Sequence, residues 1–345
     1  MVEQQEIASS PREGAQGVGG SAIAVALKLL SAGPLLILAI LIALVSLTTP
    51  VFLKPGNISN ILAQTSVIAI VALGQHLVIL TRGIDLSVGA NLALATVVGG
   101  LLYKVTDSSF VVVAAMLATG IVVGFVNGAV YVFGRLPHPF IITLATLSIC
   151  RGIAYSISEN HTTMRGMPDA VVAIGGGDIL GIPNPFIVVV ICAALVLVMA
   201  KFMVWGRWIY AVGGAPQAAV EMGIPVKWVL VSTYVLAGLS CGIGAVVLAG
   251  RTEATSPLFG NLLELDTIAA VIIGGASFLG GRGHIGHALI GAVMIGVIRN
   301  ALNLNNVDAF FQMVAIGLVI VVAVEADVLR NYLESRVRTL QAGKG

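Results

Sequence analysis

The chain has 345 residues, 58% hydrophobic and only 10% charged. Soluble domains carry about a quarter charged residues, so this is not a soluble-domain composition. A net charge of +2 is too small to imply a nucleic-acid partner. Forty-one glycines beside apolar runs of roughly 20 residues indicate closely packed membrane helices rather than a loop-rich protein.

Met1 to Gly20 is polar and carries Glu3, Glu6 and Glu13. It lacks the basic start and cleavage site of a secretory signal. Residues 1–30 read as a disordered cytoplasmic tail, with Ala22–Leu30 along the membrane surface. Ten apolar segments follow, at about 33–53, 58–80, 86–103, 110–133, 139–158, 186–204, 228–249, 266–280, 286–303 and 308–325. Each is long enough to cross alone or with tilt. The third and eighth are candidates for broken or re-entrant segments, because each begins beside an acid (Asp85, Asp266) and contains glycine. The expectation is an all-α polytopic membrane protein of about ten transmembrane helices. It comprises a membrane domain over residues 31–327 and a tail over 328–345.

With the N-terminus inside, twelve cations fall on the inner side, among them Arg82, Arg135, Lys201, Arg207, Lys227, Arg282 and the basic C-terminal tail. Six fall outside: Lys54, Lys104, Arg151, Arg165, Arg251 and Arg299. This asymmetry favours two cytoplasmic termini. It places the polar loops 158–185 and 250–265 outside and the loop 205–227 inside.

That inner loop, Trp205 to Lys227, reads as a turn, a short helix and a stop. Gly213 and Gly214 break the incoming structure, and Pro216 suits a first helical position. Gln217 to Met222 are mostly good helix formers. Gly223 is placed to end the helix, and Pro225 prevents its resumption.

Gly120, Gly124 and Gly128 line one face of the fourth segment, and Gly238 with Gly242 one face of the seventh. Such spacing brings helix backbones together, either within the chain or at a dimer seam. The hydrophilic residues inside spans are Gln64, Gln75, His76, Asn91, Asn127, Asn300 and Asn303. They suit helix cross-linking or a weakly polar passage. No span carries the central run of carboxylates that a proton relay wants. Cys150, Cys192 and Cys241 stand singly in apolar runs and read as small core residues.

Tempting motifs fail on context. Residues 281–286, GRGHIG, match G-x-G-x-x-G, with Asp308 about twenty residues on, but no βαβ alternation surrounds them. His284 and His287 stand three apart with no Cys, Asp or Glu nearby to complete a metal site. There is no G-x-x-x-x-G-K-[ST], no G-x-S-x-G and no H-E-x-x-H. An enzyme is not expected, and any ATP used is bound by another chain.

Four blocks carry a resemblance: LGQHLVILTRGIDLSVGANLALA (Leu73–Ala95), PHPFIITLATLSICRGIAYSIS (Pro137–Ser158), GRWIYAVGGAPQAAVEMGIPV (Gly206–Val226) and ELDTIAAVIIGGASFLGGRGHIGHALIGAVMIGVIRNALNLNNV (Glu264–Val307). Spread over most of residues 55–327, they resemble the membrane subunits of ATP-binding-cassette importers for monosaccharides of the ribose type, related more distantly to branched-chain amino-acid permeases. In the first block Arg82 and Ala90 replace the usual glycine and serine.

The resemblance implies a multi-pass permease of the bacterial inner membrane with no cofactor of its own. It implies a second permease subunit, identical or related, two cytoplasmic ATPases that hydrolyse ATP, and a periplasmic sugar-binding protein. The 205–227 loop would contact the ATPase, with Ala218, Ala219, Glu221, Gly223 and Pro225 as matching positions. Asp85, Asn91, Asn127 and Asp266 are candidates for the substrate passage. The alternatives are an ion-gradient-driven secondary transporter of a small polar solute, which would want buried carboxylates at mid-membrane, and a non-transporting receptor or scaffold. The motifs do not separate pentose from hexose or polyol.

Overall fold

The computed structural model describes residues 33–342. The expected N-terminal tail, including Ala22–Leu30, lies outside the described residues. The chain forms α1 (Gly33–Thr48), α2 (Pro55–Leu80), α3 (Val88–Tyr103), α4 (Ser109–Phe133), α5 (Phe140–Ile157), a short α6 (Asp169–Gly176), α7 (Asn184–Phe202), α8 (Val204–Gly214), α9 (Pro216–Glu221), α10 (Val226–Thr252), α11 (Leu263–Ile273), α12 (Ile285–Leu304) and α13 (Ala309–Ala342). Each apolar segment marked in the sequence overlaps one of these helices. Among the described residues, six helices (α2, α4, α5, α7, α10, α12) are long and apolar enough to cross a membrane, and Gly33–Thr48, Val88–Tyr103 and Ala309–Glu325 are shorter apolar stretches.

The bundle is built around α2, which is buried at every position from Thr65 to Leu80. Its Val71 joins one core cluster with Leu92 of α3, Ala245 of α10, Ala270 of α11 and Ile295 of α12. By contrast α7 buries only Pro185 and Val189 and turns Leu195, Leu197 and Val198 outward. A helix apolar on all sides but mostly uncovered suits contact with lipid. A helix enclosed by protein can carry Gln75 and His76 without exposing them to hydrocarbon.

The glycine stripes of α4 and α10 meet each other inside the chain. A Cβ on Gly120 would overlap the Gly238 carbonyl, one on Gly124 would overlap that of Tyr234, and one on Gly128 would press on Val231.

At one end of the bundle β1 (Thr163–Met164) pairs antiparallel with β4 (Ala254–Thr255), Thr163 opposite Thr255. At the same end β2 (Asp178–Ile179) pairs with β3 (Ile182–Pro183). These two-residue ladders tie down loops of an otherwise helical fold.

One feature differs from the sequence reading, and two others refine it. The stretch from Trp205 begins inside α8 rather than in a turn, and only Met203 separates α7 from α8. The eighth apolar segment stops being helical after Ile273. The helix that holds the last apolar segment runs on through the expected C-terminal tail to Ala342.

Candidate functional site

Two helices are interrupted, and the first turn beyond one interruption meets the other. Residues 81–87 leave α2 in non-helical form and only then begin α3; residues 253–262 do the same between α10 and α11. Gly89, in the first turn of α3, lies directly on Gly260, so that a Cβ on Gly89 would overlap the Gly260 carbonyl. The carboxylate of Glu264, at the start of α11, stands against the same point. From this crossing the two helices diverge. A Cβ on Gly100 of α3 would press on Thr255 at the end with the small sheets, whereas Gly274, just past α11, packs on His287. The chain beyond α11 continues to Gly281, whose N–H donates to Leu80 at the opposite end (2.8 Å). With 11 residues, α11 is about 16 Å long, half a bilayer core.

Non-helical backbone inside a membrane protein must find polar partners. In the first interruption the Asp85 carboxylate accepts from the Ser87 N–H (2.8 Å) and hydroxyl (2.6 Å). Asn127 of α4 donates to that hydroxyl (2.8 Å). With its amide oxygen turned to the Asp85 N–H (3.3 Å), Gln75 donates to the Asp85 carbonyl (3.2 Å). In the second interruption Arg151 of α5 donates to the carbonyls of Pro257 and Phe259. Each break is held by a polar side chain from a neighbouring helix.

Asn91, one turn into α3, donates to the Gly120 carbonyl (3.3 Å). The side-chain oxygens of Asn91 and Asn127 are both buried without a partner. Of the passage candidates, Asp85 and Asn127 therefore share one network, with Asn91 beside it. Asp266 stands apart. Its carboxylate accepts twice from Arg299 of α12 (2.6 and 2.8 Å), and the pair lines a cavity of about 150 Å³ with Asn261, Leu265 and Gln312.

Other polar span residues cross-link helices. Asn300 and Asn57 exchange amide hydrogen bonds (2.9 and 3.0 Å), and Gln312 donates to Asn303 (2.8 Å). His284 caps α12 by accepting the Gly286 N–H (3.1 Å).

The second candidate element is α9. Ala219 is buried with Ile209, Val212 and Val229, against Leu77 and Leu80 of α2. Ala218, Glu221, Gly223 and Pro225 are exposed, as are Val220 and Met222. The helix ends in a Schellman arrangement: Gly223 at φ +75 donates to Val220, and Ile224 to Ala219 (both 3.0 Å). The result is a short, fixed knob with two apolar side chains outward.

Sequence reasoning missed Gln75 and Arg151 as the residues that hold the interruptions, and Arg82, whose side chain reaches Gly213 and Gly214. One signal was present: Gln75 and Arg151 are long polar residues in apolar runs, and the cost of burying such groups marks them.

Residues 57–324 match the family described as branched-chain amino acid transport system / permease component. The chain is 39% identical over 302 residues to the ribose import permease protein RbsC of Haemophilus influenzae, covering 87% of this chain and 92% of that one. It is 41% identical over 297 residues to RbsC of Bacillus subtilis (86% and 92%). It is 38% identical over 299 residues to the D-allose transport system permease protein AlsC of Escherichia coli (86% and 90%). No solved structure matches it significantly.

Proposed function

Because the chain belongs to the branched-chain amino acid transport system permease-component family, whose members are transport subunits rather than enzymes, we propose that it is the permease subunit of an ATP-binding-cassette importer for a monosaccharide or similar polyol. The relatives named for ribose and allose support the solute class. In this reading the ten apolar segments cross the inner membrane, the third and eighth partly as non-helical chain, both termini are cytoplasmic, and a second permease subunit completes the passage. Two ATPase subunits hydrolyse the ATP, and a periplasmic sugar-binding protein delivers the solute to the end with the small sheets.

The observation that carries the reading is α9. It is capped at Gly223, seated through Ala219 on the same cluster as Leu77 and Leu80 of the central helix, and presents Val220 and Met222 outward. A partner that grips this knob moves the end of α2. The cations of the inner set support the orientation, since Arg82 sits beside Gly213 and Gly214 at this end, while Arg251, of the outer set, reaches Asn60 at the other (3.0 Å).

Asp85, Asn91 and Asn127 are the residues we assign to the passage. The buried amide oxygens of Asn91 and Asn127 are free to accept from solute hydroxyls once the helices part. Asp266, paired with Arg299 at a separate cavity, is assigned to the passage only as a second, distinct position. The ion-gradient alternative is less well supported, because Asp85 is engaged with Ser87 and Asp266 with Arg299.

Ala219→Pro tests the proposal. It removes the Ala219 N–H bond to Ala215 and distorts α9. The expected result is loss of ATPase binding and of sugar uptake. Uptake at the unaltered level with an intact complex would overturn the coupling role, and uptake that survives loss of ATP but collapses with the ion gradient would favour the alternative.

A further inference from the structure

Arg82 has a left-handed backbone, φ +66, a conformation that a residue with a side chain adopts only at an energetic cost. What it gains is contact with another segment. Its Nε donates to the Gly213 carbonyl (2.5 Å) and its Nη2 to that of Gly214 (2.9 Å). These are the last two residues of α8. Carbonyls there lack partners within the helix and form its negative end, which favours a cation.

The surroundings leave no slack. A Cβ on Gly213 would overlap the Leu80 carbonyl, and one on Gly280 would overlap the Arg82 side chain. Gly280 and Gly281 both have positive φ (+76 and +70). The Gly281 N–H closes onto Leu80 (2.8 Å), and the Tyr210 hydroxyl of α8 donates to the Gly283 carbonyl (2.9 Å). Three segments are thus held together by one main-chain hydrogen bond and by the side chains of Arg82 and Tyr210. Just after Gly214, Ala215 leads into α9; three residues after Arg82 stands Asp85 with its Ser87–Asn127 network.

We propose that Arg82 is a positioning residue for transport: it latches the end of α8, and with it the surface knob α9, to the turn that feeds the first interrupted helix. A displacement of α9 is then passed to residues 80–85 through two short links, the Arg82 guanidinium on Gly213 and Gly214 and the close main-chain contact of Gly213 with Leu80. The inference rests on the importer reading for its consequence and on the geometry alone for the latch.

Arg82→Gly is the test, because glycine adopts φ +66 without strain, so the fold is kept and only the guanidinium is lost. In the assembled transporter reconstituted with its ATPase, hydrogen exchange at the amides of residues 215–223 is expected to quicken by about tenfold. Solute uptake is expected to fall by about the same factor while the ATPase still co-purifies. Arg82→Lys, a point charge without the planar fork, should fall between. Unchanged exchange in Arg82→Gly overturns the latch, and faster exchange with unaltered uptake overturns its positioning role. If the unaltered complex moves no sugar, the importer reading fails instead, and the exchange measurement still decides whether the latch exists.

Discussion

Gly120 and Gly238 face each other across α4 and α10 so closely that a methyl group on either would overlap the other's carbonyl oxygen. The contact is main chain on main chain, and dispersion between backbones supplies what side chains supply elsewhere. Gly238→Leu should force the helices apart at a cost of about 1–3 kcal/mol or more, read as a lower thermal midpoint in detergent. Gly152, on the exposed face of α5 with nothing near its Cβ position, is the control: Gly152→Ala should leave the midpoint of the isolated chain unchanged.

The pair between Asp266 and Arg299 buries a carboxylate almost completely while leaving about a quarter of the arginine side chain exposed. Removing one partner leaves an uncompensated charge, with a typical penalty of about 3–5 kcal/mol. Asp266→Asn should therefore be poorly folded, and Asp266→Leu with Arg299→Met should recover much of the midpoint. If the double variant folds but takes up no sugar, the pair serves the passage as well as the fold.

At the first interruption, Gln75→Leu removes the amide that serves both the N–H and the carbonyl of Asp85. Leaving a buried backbone group unpaired costs about 1–3 kcal/mol. The variant should show a lower midpoint together with reduced uptake, whereas Asn300→Ala, which breaks only the Asn57 cross-link, should lower the midpoint with a smaller effect on uptake.

At the knob, Val220 and Met222 are 63% and 80% exposed. Replacing both with alanine should leave the melting curve in place and weaken ATPase binding by about tenfold, measured by titration, since buried apolar anchors dominate interfaces. Gly223→Val should act differently. It forces a β-branched residue to φ +75, costs about 1–2 kcal/mol locally and frays α9, so binding falls with a measurable gain in protease sensitivity.

The outline of the helices was legible in the sequence because apolar length and turn chemistry are local. Pro216 and Gly223 mark the two ends of α9 as the sequence places them. The acids at 85 and 266 mark helices that prove to be interrupted. What could not be read was pairing across hundreds of residues. Nothing near Gly89 specifies Gly260 as its neighbour, and nothing near Asp266 specifies Arg299. Arg82 was misjudged for a related reason. Its side chain reads as one more inner cation, and its value lies in a backbone angle and two carbonyls 131 and 132 residues away.

The enclosure of α2 has a consequence for how the protein is made. Residues 55–80 emerge early in synthesis, yet the surfaces that cover them belong to α10 and α12, which end at Thr252 and Leu304. Until those arrive, Gln75 has only the nearby Asp85 backbone as a partner, and His76 has lipid or the insertion machinery for neighbours. The earliest long helix is thus the last to be fully housed, and a nascent chain truncated before residue 285 should be held by quality control, however well its individual helices insert.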